Sequence, residues 1–333
     1  MTLKNWPVVL CLLVFSKLAL AADHGVILLY HHVDTDTPTS TSISPADFNA
    51  HLQLILSQLL TELDSGGTAD KAVAITFDDA YISVYQTAFP LLKKRGWPFT
   101  VFVNAQSVDE QQTLQMSWDQ LRELADYGAE IGNHSLTHAH LVRYLQNETH
   151  SEWLARMDHE VIENERRLNR EIPQRSKGEK RLFAYPFGEY NPELLSLLKQ
   201  KGYYSIVQQS GAVASPTQDA IPRFPLAGNW AKRERLNTAL QSRPLPVIRV
   251  DAGAMIATPE QAASVLTLTI APDFNLAVNI LGKNQIEITL PHWTPGRQKV
   301  NCTAPVGNEP GAYYWYSQLW IIEEKKHVAN RGS

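Results

Sequence analysis

Two cysteines in 333 residues leave almost nothing to cross-link. Cys11 lies in an N-terminal apolar run, so a chain trimmed there keeps only Cys302 and forms no internal disulfide, even in an oxidising compartment. The core must hold without staples. Charge of one sign is also scarce: 30 Lys and Arg against 34 Asp and Glu give a net charge of −4. That balance offers no electrostatic basis for a nucleic-acid partner or an anionic membrane surface. The apolar run, Trp6 to Phe15, is too short for a comfortable membrane span. Lys4 precedes it and Ala19-Leu20-Ala21 follows, so residues 1–21 read as a cleavable export signal. The expected product is periplasmic or secreted, with no stable membrane insertion after cleavage. A lipid anchor through Cys11 is the weaker alternative, because bulky Leu10 precedes it and the cysteine sits inside the apolar run.

What is present is an alternation of strands and helices. Val26–Tyr30 reads as an apolar strand, and Ser44-Pro45 caps a helix running to about Glu62. Lys71–Phe77, Phe99–Val103, Ala129–Gly132, Arg181–Tyr185 and Tyr204–Val207 continue as strands. Between them lie helices over Tyr81–Arg95, Ser117–Tyr127, Ser151–Arg170 and Pro192–Lys201. Such alternation predicts an α/β fold of parallel strands with helical crossovers, and a (β/α) barrel in particular, because the candidate catalytic groups all follow strands. After Arg243 the pattern changes. Val265–Ile270, Leu276–Leu281 and Ile286–Leu290 alternate with period two between turn signals, and Tyr313–Tyr316 and Leu319–Ile322 complete the set. These predict a small antiparallel β-sandwich over 244–333, joined to a barrel over 22–243.

The chemistry centres on Thr76-Phe77-Asp78-Asp79. Two adjacent acids at a strand end repel unless a cation or a shared proton compensates them. Gly132-Asn133-His134-Ser135-Leu136-Thr137-His138 supplies two imidazoles four residues apart, the spacing of one face of a helical turn. One carboxylate and two histidines suit one divalent metal ion, leaving the other carboxylate free as a base. Taken separately, the acids also suit a helix cap and the histidines an exposed turn; His140 falls off their face and reads as a surface residue.

The paired motifs resemble those of the polysaccharide deacetylases of the NodB-homology type, carbohydrate esterase family four, over roughly Gly25 to Arg243. The resemblance implies a distorted barrel, a metal that is usually zinc, and hydrolysis of the N-acetyl group of N-acetylglucosamine-containing glycans. It makes Asp79, His134 and His138 the metal ligands and Asp78 the general base. Ala184-Tyr185-Pro186-Phe187-Gly188 matches the third motif, with the Phe187 N–H beside the oxyanion and Tyr185 next to it on the substrate side. Ala184 stands where the family has arginine, and Arg223 is the candidate replacement. No histidine lies between His159 and His292 to match the family's late acid. Tyr30-His31-His32-Val33 resembles the N-terminal segment of the poly-N-acetylglucosamine deacetylases, which makes His31, or else His32, the acid. Two other classes stay open: a sugar-binding protein that keeps the barrel without efficient turnover, and a metal-dependent phosphoesterase, for which the carboxylates are too few.

Overall fold

The computed structural model describes residues 24–64, 71–175, 181–215, 218–272, 274, 284–307 and 309–324. The expected signal segment, the Leu276–Leu281 run and the end of the tail lie outside them.

Chain order begins with β1 (His24–Tyr30), the short parallel pair β2 (His32–Val33) and β3 (Ser42–Ile43), and α1 (Pro45–Asp64). Ser44 caps α1, its hydroxyl accepting from Asp47 N–H at 3.0 Å. β4 (Lys71–Phe77) follows. The expected Tyr81–Arg95 helix is present over 82–93, wound as a π-helix over Val84–Ala88 before it continues as α2 (Phe89–Lys93). β5 (Thr100–Val103), α3 (Ala105–Asp109), α4 (Trp118–Tyr127), β6 (Glu130–Asn133) and α5 (His150–Glu171) come next. α4 and α5 both open on reciprocal capping boxes, Ser117 with Gln120 and Thr149 with Glu152. β7 (Arg181–Ala184), α6 (Pro192–Gln200), β8 (Tyr203–Ile206), β9 (Phe224–Pro225) and α7 (Arg233–Leu240) complete this part.

Seven of these strands form one sheet in the order β8-β7-β6-β5-β4-β1-β9, parallel throughout. The segment entering β9 joins its two ends: Ile221 bridges Ile206 of β8, while Phe224 pairs with Leu28 of β1. Both faces are apolar, as crossover topology requires. Ile75, Phe77, Val101 and Val103 pack outward in the large cluster that includes helical residues such as Phe48, Leu92, Leu121 and Leu236. Phe102, Ala184, Ile206 and Ile221 form a second, smaller cluster on the opposite face. The register levels the strand ends. Tyr30 pairs with Phe77 and Val103 with Asn133, so the residues that follow emerge on one rim.

The C-terminal strands are β10 (Arg243–Pro244), β11 (Val247–Asp251), β12 (Ile256–Ala257), β13 (Val265–Ile270), β14 (Gln285–Thr289), β15 (Gly296–Pro305) and β16 (Tyr313–Ile322). β11, β13 and β14 form an antiparallel sheet. β16 pairs antiparallel with β15 and parallel with β10 and β12, so the second sheet is mixed. Period two lets β16 serve two cores at once. Its even residues Tyr314, Tyr316, Trp320 and Ile322 join Leu266, Leu268 and Ile270 between the two small sheets. Its odd residues face the other way: Trp315 meets Phe224 edge-on at 5.3 Å, and Leu319 and Ile321 pack with Met157 and Val161 of α5.

Candidate active site

The end of β4 delivers Asp78 and Asp79, and the end of β6 delivers His134. His134 and Asp79 approach to 3.3 Å, and His138 reaches the same carboxylate oxygen at 3.1 Å. One ligand atom from each of Asp79, His134 and His138 lies within 4.8 Å of the others. The donor chemistry fits a cation. His134 Nδ1 faces the Ala184 carbonyl at 2.7 Å, and a carbonyl only accepts, so Nδ1 carries a proton and Nε2 is the nitrogen turned toward Asp79. Burial and the neighbouring His134 charge hold His138 at about 4, a neutral imidazole at neutral pH.

The two histidines do not share a helical turn. His134 leaves a strand and His138 follows the bend at Leu136 and Thr137 with φ of 57°, so spacing alone misjudged the geometry. Side chains hold the intervening loop. Glu160 of α5 accepts from the N–H groups of Leu136 and Thr137, both at 3.0 Å, and from the Thr137 hydroxyl at 2.8 Å. Ser135 Oγ accepts from His138 N–H. Buried Asn164 donates to Asn133 and Val103 and accepts from Ala105 N–H, locking the ends of β5 and β6 together. Asp79, Ala80, Ser135, His138 and Phe187 all have positive φ without being glycine. Each such residue costs about 1–3 kcal/mol, and their gathering at one rim marks a place where geometry outweighs local stability.

Arg223 is fully buried and grips Asp78 with both amino groups, at 2.7 and 2.8 Å. It also donates to Val207 O and Thr76 Oγ1, so the guanidinium is fixed. Burial pushes the Asp78 carboxyl up, but the Arg223 and His134 charges more than offset it and hold it below the usual carboxylate range. Asp79 is likewise raised by burial and then pulled well down, by its His134 hydrogen bond and by both histidines. Asp78 Oδ2 stands 3.9 Å from His134 Nε2.

His31 follows β1 directly, on the rim shared with Asp78, whose N–H donates to Tyr30 O. It lies near enough to both carboxylates to act on them electrostatically. His32 is buried and stacked on Tyr81 with ring centroids 3.6 Å apart, and burial lowers its pKa. Tyr81, which sequence reasoning missed, lies beside Asp79; burial first, then the Asp79 charge, pushes its phenol up. Phe187 has its ring edge against His138 at 4.6 Å. Gly188 after it has φ of +66° and would place a Cβ 2.3 Å from Gln208, so no other residue fits. Tyr185 goes elsewhere: it is fully buried with its hydroxyl on Ser205, a core residue turned away from the rim. His140, expected at the surface, is bonded at 2.8 Å to Glu189, whose side chain is fully buried.

A parallel α/β sheet whose strand ends bring a clamped carboxylate beside a carboxylate and two imidazoles has a place where a divalent cation could be held. The comparisons narrow the class. The family model for polysaccharide deacetylase matches residues 65–206, so the chain carries a polysaccharide deacetylase domain, of the kind found in hydrolases of non-peptide carbon–nitrogen bonds. It is similar to YxkH of Bacillus subtilis (strain 168), provisionally named a polysaccharide deacetylase, with 27% identity over 202 residues, 58% of this chain and 67% of that one. Against the poly-beta-1,6-N-acetyl-D-glucosamine N-deacetylase of Escherichia coli (strain K12) it is 24% identical over 219 residues, 55% of this chain but only 32% of the relative. The fold resembles Streptococcus pyogenes deacetylase PplD, with TM-score 0.54 and 21% identity over 65% of this chain and 98% of that one. Among the described residues no helix is long and apolar enough to cross a membrane.

Proposed function

We infer that this protein is a metal-dependent N-deacetylase of N-acetylglucosamine-containing polysaccharide or oligosaccharide, working outside the cytoplasm. Asp79, His134 and His138 would hold one divalent ion, most simply zinc. When bound, such an ion supplies electrophilic polarisation of the acetyl carbonyl and acidifies water at an open coordination position. Asp78, kept ionised and oriented by Arg223, takes the proton of the attacking water. Its two oxygens offer about four lone-pair sites, so the Arg223 clamp leaves acceptor capacity for that proton. The Phe187 N–H donates to the carbonyl oxygen as negative charge develops there. His31, on the open side of the rim, delivers a proton to the departing glucosamine nitrogen, while packed His32 shapes the wall through Tyr81. The name of the Escherichia coli relative points to a β-1,6-linked N-acetylglucosamine polymer as the first substrate to try.

The observation that carries this reading is the division of labour within one carboxylate pair: Asp78 is tied to arginine, whereas Asp79 lies against both imidazoles. Asp78→Asn tests it directly. The variant is expected to keep about one metal per chain while acetate release falls roughly 10²-fold or more. Loss of the metal with the activity would put Asp78 among the ligands and overturn the assignment.

A further inference from the structure

Among the described residues, Arg297 carries the C-terminal sheets to the active-site rim. Arg297, second residue of β15, donates to the Phe187 carbonyl and lies with its guanidinium 5.9 Å from the Phe187 ring centre. Its Nε stands 3.7 Å from Glu189 Oε1. Glu189 is the hub of this corner: fully buried, it binds His140 at 2.8 Å and approaches Arg143 at 3.4 Å as well as Arg297. A carboxylate so deeply buried needs its cationic and hydrogen-bonding partners, so the corner is held from three directions. His140 in turn stacks on the Phe187 ring, centroids 3.9 Å apart and planes within 11°.

The Phe187–Gly188 peptide is therefore pinned at both ends. Its carbonyl accepts from Arg297 and its N–H donates to Tyr185 O at 2.9 Å. Phe187 has φ of 58°, a conformation that phenylalanine does not keep without support. Holding the following peptide fixes the turn, and the turn sets where the Phe187 N–H points. We propose that Arg297 is a positioning residue for the deacetylation, contributed by the C-terminal sheets to a catalytic rim otherwise built by the parallel sheet. The inference rests on the deacetylase reading for its catalytic consequence, but not for its geometry.

The test uses the full chain with selectively 15N-labelled phenylalanine. In Arg297→Ala the Phe187 amide signal should shift or broaden, while melting temperature and metal content stay at wild-type values. Turnover of a soluble N-acetylglucosamine oligomer should fall about tenfold with KM within twofold, less than the hundredfold or more that deleting an oxyanion donor outright costs. Arg297→Lys, which keeps a cation at the carbonyl, should return most of both readouts. An unmoved Phe187 signal, or unchanged turnover in Arg297→Ala, overturns the proposal. So does equal damage in the Lys and Ala variants accompanied by a lowered melting temperature, which would make Arg297 a plain stabilising contact. Absence of acetate release from the wild type would count against the deacetylase reading, and the Phe187 signal would still decide whether Arg297 positions that peptide.

Discussion

Every residue at this centre works through a neighbour that restricts it. Asp78 alone would be a buried carboxylate under pressure to take up a proton; with Arg223 on both oxygens it stays ionised and aimed. His134 is turned by a backbone carbonyl, and His138 is held neutral by burial. The same logic separates the two histidines at the end of β1. His32 is spent on packing against Tyr81, and proton delivery is accordingly given to His31 in the proposed mechanism. A leaving amine is strongly basic, whereas the leaving group of an activated acetate ester is not. His31→Ala should therefore reduce hydrolysis of the sugar acetamide at least tenfold more than hydrolysis of the ester, with metal binding intact. Equal losses on both substrates, measured as kcat/KM, would assign His31 a structural role.

Among the elements, α5 is the one that converts a sequence motif into a site. Glu160 closes the His134–His138 loop and Asn164 fastens β5 to β6, both from its buried face. Glu160→Ala is expected to weaken metal binding by about 10–100-fold, the usual consequence of losing a partner that orients a ligand, with a much smaller effect in Glu160→Gln. Titration of the metal into both variants checks this, and unchanged affinity in Glu160→Ala would remove the loop clamp from the account. This element also shows what could be read from sequence. The acid pair was legible because two carboxylates end an apolar strand, and the histidines because of their type. Their loop was not, since its clamp lies on another helix and spacing alone favours a helical turn. Arg223 could be sought only as a missing positive charge. Glu189, Tyr81 and Arg297 gave no signal, because a lone acid, tyrosine or arginine has many bland uses. β15 was missed for a related reason: Gly-Arg-Gln-Lys-Val-Asn-Cys lacks the apolar alternation that exposes a strand.

For the whole molecule, the change of pattern after Arg243 marks a change of architecture rather than a free-standing appendage. β16 buries one side in the parallel-sheet clusters and the other between the small sheets, and Arg297 touches the rim. Cutting the chain at 243/244 would uncover Phe224 and the α5 residues packed by Leu319 and Ile321, so a chain ending there is expected to lose stability and activity. The central claim is that this assembly removes acetyl groups with the help of a metal held by Asp79, His134 and His138. The most direct measurement is acetate release from poly-β-1,6-N-acetylglucosamine by the full chain, after removal of bound metal with a chelator and again after return of one equivalent of zinc. The account predicts release that vanishes on stripping and returns with the ion. Release that persists undiminished in the stripped protein would contradict it, as would a metal-replete protein that binds the polymer and frees no acetate.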